Sequence, residues 1–350
     1  MRPIVAITAG LILTALVATG VTLTVLRFQS RTNPQEVNLR GGETLTEDSA
    51  IVQAATKARP AVVSVVTQHL PAVVRGSGYL ATTDGYIVTS IDTVAGATGM
   101  TVLVPGDSKA HDARLVDYDC QTGVAVIKID QVSGEPTLAF ADPTALVQGQ
   151  VIVAVGGPVD GGAVTPGYVS ALHRVADGKD PVNAGHTITF SDTILTSVVI
   201  DDGTSGGPLL NVQSQVIGIA MESTASHTGF GLNVADIQDD VQQILSTGRV
   251  QVAALGATAT DVTPDAAILN GLPQGANLVS LDSSGPASIA GLKPGDVITQ
   301  VDDVHVDAAH PLSLLLRSRF HANQRVTVTY SRDGNSTQAE LTLTSEHPTC

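Results

Sequence analysis

The chain has 350 residues, 43% of them hydrophobic and 3% aromatic, with no tryptophan. That supply of Val, Ala, Leu and Ile argues against disorder, and the length accommodates two or three domains with their own cores. Thirty-three acidic against 18 basic residues give a formal charge of −15, a surface repelled by phosphate backbones, which disfavours nucleic acid as a partner.

From Pro3 to Leu26 no residue is charged, and IVAITAGLILTALVATGVTLTVL is almost wholly apolar. As a helix this run extends about 35 Å, enough for a hydrocarbon core of about 30 Å. A cleavable signal peptide is the competing reading, but its apolar region is shorter, about 7–15 residues, and ends in a small-residue exit that is not evident here. Residues 1–27 are therefore expected to be an N-terminal transmembrane helix serving as membrane anchor. Arg27, Arg31 and Arg40 follow the run and only Arg2 precedes it. The positive-inside rule thus mildly opposes export, although long C-terminal domains are translocated despite such flanks. Residues 28–50 are polar and broken by Pro, Gly and Ser, the composition of a flexible linker.

Beyond residue 50 the pattern becomes β-rich, with short runs AVVSVVTQ, GYIVTS, MTVLVP, GVAVIKID, QVIVAVGG, HTITFS and QVIGIAM. Gly, Pro, Asp and Ser separate them, as in an all-β barrel or sandwich. DIQDDVQQILSTGRV, near 236–250, has helical spacing through Ile237, Val241 and Ile244, with Gly248 as a stop signal. A second unit follows, with strands in ANLVSL, GDVITQVDD, QRVTVTYSRDG and AELTLT and short helices near ASIAGL and PLSLLLRSRF, a small α+β module. The two cysteines, Cys120 and Cys350, form neither a disulfide framework nor a metal-ligand spacing. Their pairing is left open, and the sequence implies no metal or cofactor.

DDGTSGGPLLN, residues 201–211, is the strongest chemical signal. Glycines on both sides of Ser205 make a turn tight enough to expose Oγ, with the N–H groups of Gly203 and Ser205 placed to hold an oxyanion. A plain Gly-rich turn is the alternative reading of these residues alone. Further motifs accompany it in order: PAVVSV at 60–65, GSG at 76–78, AVGGP at 154–158, TPGYVSAL at 165–172, GTSGGPL at 203–209 and GFGLN at 229–233.

With these motifs the chain resembles the HtrA/DegP-like family of trypsin-fold serine proteases with C-terminal PDZ domains, over most of residues 51–345. The resemblance implies a mainly β fold: a chymotrypsin-like double β-barrel over 51–247, followed by an α+β PDZ domain over 252–345. The family's G-N-S-G-G-P-L is matched with Thr204 in place of Asn. ALGA at 254–257 is similar to the PDZ carboxylate loop, GPASIAGLKPGDVI at 285–298 to its central stretch, and PLSLLLRSRF to its groove helix. Leu255, Gly256 and Ala257 are thereby expected to capture a terminal carboxylate, and Leu312, Leu315 and Leu316 to wall the pocket or to fill the core.

The same resemblance exposes a departure. The family's histidine stretch, Y-I-L-T-N-x-H-V-V-x-G-A, is met by YIVTSIDTVAGA at 86–97, which puts Asp92 at the histidine position. Its aspartate stretch, T-D-L-A-V-L-K, is met by TGVAVIK at 122–128, which puts Gly123 at the aspartate position. The missing imidazole would take and return the serine proton with a pKa near 6.5, whereas a carboxylate near 3.9 is a far weaker base. In subtilisin, loss of the histidine or serine costs on the order of 10⁶ in kcat. Asp201 and Asp202 add negative charge beside the loop, His227 is the histidine nearest in sequence to the substrate-side strand, and Asp117 and Asp119 are the carboxylates nearest Gly123.

The expectation is a membrane-anchored pseudoprotease that binds peptides, protein C-termini or unfolded envelope proteins, a single-pass protein with its folded domains outside the cytoplasm. The alternatives are an active serine endopeptidase using Ser205 with a non-standard base such as Asp92, and a purely structural envelope protein. Restoring both residues, Asp92→His with Gly123→Asp, is expected to return some hydrolysis if the cleft persists. The resemblance also implies homo-oligomers formed through N-terminal segments, which nothing in this sequence shows by itself.

Overall fold

The computed structural model describes residues 47–69, 72–180, 186–224, 229–308 and 310–348. The expected membrane anchor at 1–27, most of the linker, His227 and Cys350 lie outside the described residues. Among the described residues no helix is long and apolar enough to cross a membrane. The last residues of the expected linker differ from the reading above, because helix α1 already spans Glu47–Ala58. Acidic residues in its first turn, Lys57 in its last and three alanines between favour that helix.

Six strands follow: β1 (Val62–His69), β2 (Ala72–Leu80), β3 (Tyr86–Ser90), β4 (Gly99–Leu103), β5 (Ala110–Tyr118) and β6 (Val124–Ile129). They close into an antiparallel barrel of order β1-β2-β3-β6-β5-β4. A second closed barrel, of order β10-β11-β12-β9-β8-β7, is built from β7 (Val151–Val155), β8 (Val164–Lys179), β9 (Thr187–Thr196), β10 (Pro208–Leu210), β11 (Val216–Met221) and β12 (Phe230–Asn233). Closure removes the unpaired edges that would otherwise invite association. The short helix α2 (Ile91–Val94) lies between β3 and β4.

Each barrel has its own interior, one around Val63, Leu80, Ile87 and Ile127 and the other around Ile152, Ile194, Leu209 and Ile217. A third cluster joins them, with Tyr79, Val88 and Val126 from the first barrel against Val153, Leu210, Phe190 and Phe230 from the second. Helix α3 (Val234–Thr247) packs Ile237, Val241 and Ile244 onto that seam and stops at Gly248 in the left-handed conformation.

The C-terminal region starts with β13 (Val252–Ala254), which pairs with the last strand, β20 (Thr344–Glu346). Between them lie β14 (Ala257–Val262), α4 (Pro264–Asn270), β15 (Gly275–Leu281), α5 (Pro286–Ile289), β16 (Val297–Val301), β17 (Val304–His305), α6 (Leu312–Arg319), β18 (Arg325–Arg332) and β19 (Asn335–Thr342). The sheet runs β14-β15-β16-β18-β19, with β17 attached to β16. Buried Asp296 accepts hydrogen bonds from Arg332 Nε (2.7 Å) and Nη2 (2.6 Å) and from Lys293 N (2.7 Å), tying the turn before β16 to the end of β18.

Burial raises the pKa of Asp296, but the Arg332 guanidinium and the Lys293 N–H outweigh it and hold the group below 3.8. A depressed carboxylate stabilises the fold above its unfolded pKa, and that contribution disappears as pH falls through the folded value. Asp296→Ala is therefore expected to lower stability by about 1–3 kcal/mol at neutral pH, since Arg332 keeps partial access to water. Urea titrations of both proteins check this, and the gap between them should narrow as pH drops below about 4.

Candidate functional site

Strand β3 delivers Ser90 to the start of α2, and the turn of that short helix brings Asp92 to the cleft between the barrels. Ser90 Oγ donates to Asp92 Oδ1, and Ser205 Oγ donates to Asp92 Oδ2 at 3.1 Å. Both hydroxyls thus point at one carboxylate. Burial raises the pKa of Asp92, while the hydrogen bonds from Ser90 and Ser205 and the charge of Lys179 act against it. The surrounding cleft, of about 850 Å³, is lined by His69, Arg75, Asp92, Lys179, Ser205 and Glu222 among others. Lys179 binds the Glu222 carboxylate, which raises its pKa and keeps it a cation rather than a base.

The loop carrying Ser205 is folded on itself. Thr204 N and Thr204 Oγ1 donate to Asp201 Oδ1 at 2.9 and 2.8 Å. Ser205 N donates to the Asp201 carbonyl at 2.8 Å, so in this conformation it is engaged inside the loop rather than directed at the cleft as the sequence suggested. The Gly203 carbonyl accepts from Ser77 Oγ at 2.6 Å. Ser77 is the hub of the site: its N–H donates to the Ser205 carbonyl (2.8 Å), its Oγ accepts from Gly157 N (2.7 Å), and its carbonyl accepts from Thr89 Oγ1 (2.7 Å). The GSG and AVGGP motifs are therefore the stitches between the two barrels. Gly206, at φ +80°, has no room for a Cβ, which would lie 2.3 Å from Thr89 Oγ1 and 2.4 Å from the Ser77 carbonyl oxygen.

A second concavity, of about 320 Å³, lies between edge strand β14 and helix α6. Leu255, Ala257, Thr258, Ala259, Leu312 and Leu316 line it. Gly256 makes the turn before β14 at φ +65°, close against Gly285. Leu315, three residues after Leu312, is turned into the core instead of the groove and is 3% exposed. The free edge of β14 offers backbone groups that an added strand can pair with.

Residues 76–219 match the trypsin-like peptidase domain family and residues 216–343 the PDZ domain family. A serine protease Do-like HtrA from Lactococcus lactis is 34% identical over 280 residues, which cover 74% of this chain and 67% of that protein. The chain belongs to the HtrA/DegP-like family. A probable periplasmic serine endoprotease, DegP-like, from Halomonas elongata is 35% identical over 276 residues, and there the match spans 56% of the relative's length. The solved structure of the HtrA-type protease AlgW with a decapeptide aligns with a TM-score of 0.70 and 26% identity, over 85% of this chain and 99% of that one.

Within this HtrA framework Gly123 sits one residue before β6 and directly beside α2, since Ile91 N donates to the Gly123 carbonyl at 2.8 Å. The three positions singled out in the sequence, Asp92, Gly123 and Ser205, are therefore neighbours in space. The nearby carboxylates face elsewhere: Asp117 bonds His347 (2.9 Å) and Val250 N (2.7 Å), and Asp119 holds Arg317. His69, which no motif in the sequence singles out, lines the cleft from the end of β1 and sits 3.1 Å from Thr67 Oγ1. Among the described residues no histidine is hydrogen-bonded to Ser205.

The geometry also bears on repairing the site. A Cβ at Gly123 would stand 2.7 Å from Phe190 Cε1 and 3.1 Å from Leu232, on a backbone at φ +78°. A side chain there must displace the ring that joins the barrels and adopt a strained conformation. Gly123→Asp is expected to lower stability by about 2–4 kcal/mol rather than supply a working carboxylate. Denaturant midpoints of the variant and the parent test this, and an unchanged midpoint would contradict the packing argument.

Proposed function

We propose that this HtrA-family chain is a pseudoprotease of the cell envelope, which holds peptides or unfolded proteins in its cleft and its β14/α6 groove without cutting them. The reading takes residues 51–247 as the protease-fold unit and 252–345 as the PDZ unit, carried outside the cytoplasm on an N-terminal anchor at 1–27. The observation that carries it is the pairing of Ser205 Oγ with the Asp92 carboxylate at 3.1 Å. Acyl transfer needs a base that takes the serine proton and returns it to the leaving amine, which a histidine does and a carboxylate does poorly. The engaged N–H of Ser205 adds to this, because an oxyanion there would have to compete with the Asp201 carbonyl.

Three further features support the wider reading. Cys120 is disulfide-bonded, a state that persists in oxidising compartments. The Halomonas relative is named periplasmic. AlgW, aligned with this chain, was solved with a decapeptide. In the groove, the N–H groups of Leu255, Gly256 and Ala257 face the end of a bound chain, and Leu312 and Leu316 hold its apolar side chain.

One feature favours a second reading, an active serine endopeptidase. Burial that raises the pKa of Asp92 also makes its carboxylate a stronger base than an exposed one. Such activity would require the ionised carboxylate and would rise with pH through that raised value. Labelling with a fluorophosphonate probe at several pH values from about 4 to 8 separates the two, the range spanning the ordinary carboxylate and imidazole values. The pseudoprotease reading predicts no labelling above that of Ser205→Ala. Labelling of the wild type that Ser205→Ala abolishes would overturn it.

A further inference from the structure

The end of β5 and the turn after it, Asp117–Gln121, form a ledge on the first barrel that the C-terminal region grips. Asp117 Oδ1 lies 2.9 Å from His347 Nε2, and its Oδ2 accepts from Val250 N at 2.7 Å. The Tyr118 ring meets the His347 ring edge-on at 6.2 Å. Asp119 Oδ2 accepts from Arg317 Nη2, and Gln121 Oε1 accepts from the same nitrogen at 3.3 Å. Arg317 belongs to α6, the helix that walls the peptide groove through Leu312 and Leu316. Gln121 of the ledge lines that groove as well.

Among the described residues, Arg317 is the guanidinium on which a dense group of carboxylates converges. Its Nη1 donates to Asp240 Oδ1 at 2.8 Å, and Asp240 Oδ2 accepts from Thr122 Oγ1 at 2.7 Å. Asp119 and Asp240 are buried, at 0% and 2% exposure. Asp236, one helical turn before Asp240 on α3, lines cavities on both sides of Arg317. With all three carboxylates ionised, one positive charge would face three negative charges, two of them on carboxylates shut off from water and the third, on half-buried Asp236, at the cavity walls. Such an imbalance is relieved by binding protons or by separating the surfaces.

We propose that this interface is a proton-loaded clamp, which closes when the Arg317 carboxylate cluster takes up a proton and loosens as the cluster ionises, releasing the groove helix α6 from the barrel ledge. Burial, reinforced by Asp192 beside Asp236 and by Asp119 beside Asp240, pushes both groups up to about 7. When α6 leaves the ledge, both carboxylates regain water and return toward 3.8. The closed form therefore holds more protons between those values, so closure strengthens as pH falls through 7 and weakens above it. Among the described residues the other titratable groups facing the cluster are His173, paired with Asp192, Asp239 and His321, which line one cavity beside Arg317, and Asp180, which lines the other. His347 and Asp117 stand at the far end of the ledge.

Hydrogen exchange of the full chain at pH 6 and pH 8, with rates corrected for intrinsic exchange, tests the clamp. Amides in 312–320 and 117–122 should open about tenfold more often at pH 8 for each proton taken up on closure. Amides in β16 should show no such step. Asp236→Asn with Asp240→Asn should flatten the step to less than twofold, Arg317→Met should open both segments at either pH, and His347→Gln should keep the step. Equal protection of the wild type at both pH values would overturn the proposal, and so would a step that survives the double substitution or disappears in His347→Gln. The wild-type comparison decides by itself if the double variant does not fold.

Discussion

The hydrogen bond from Ser205 Oγ to Asp92 Oδ2, 3.1 Å long, governs what the cleft can do. A hydroxyl proton held by a carboxylate gains a polar partner but little activation, because the acceptor is a weak base unless burial raises it. The same carboxylate accepts from Ser90, so it is fixed by two hydroxyls and cannot swing freely toward a substrate. The rest of the site is arranged around this pair. Ser77 ties the nucleophile loop to the first barrel and to the turn at Gly157, and the loop in turn spends the Ser205 N–H on Asp201. Each of these bonds stiffens the cleft, and none prepares it to stabilise an oxyanion.

Gly123 shows how the barrel seam accommodates the chain on the other side of Asp92. With no side chain, it leaves space that Phe190 and Leu232 occupy, and these residues belong to the cluster joining the two barrels. Packing has thus closed over the space that a side chain at this position would need. The carboxylates just upstream, Asp117 and Asp119, serve the C-terminal region instead. One short stretch of β5 and its following turn therefore links the neighbourhood of the cleft to helix α6, which walls the second concavity.

Much of this was legible in the sequence where a local rule applied. Helix α3 was readable from the spacing of Ile237, Val241 and Ile244, and Gly248 marks its end. The apolar runs of β1, β6 and β11 were readable because both faces of those strands are buried. Strand β5 was not, since AHDARLVDY mixes charge into both faces and its residues are only partly covered. Strand β2 hid behind Gly76 and Gly78, whose value lies in close approach to Thr93, Ile87 and the Ser205 carbonyl rather than in strand propensity. At the site, sequence order brought out Asp92, Gly123 and Ser205. The hub role of Ser77, the engaged N–H of Ser205 and the inward turn of Leu315 depend on contacts between distant segments. No spacing along the chain announces such contacts. The Arg317 cluster is of the same kind, with partners 77 and 198 residues away.

If the proposed function holds, the protein grips a chain and leaves it whole. The most direct measurement follows the fate of a bound polypeptide: unfolded casein is incubated with the full chain, the complex is isolated, and the casein is sized by mass spectrometry over a day. The account predicts that casein is retained and stays intact, with a time course identical to that of Ser205→Ala. Casein fragments that accumulate with the wild type and vanish with Ser205→Ala would contradict it.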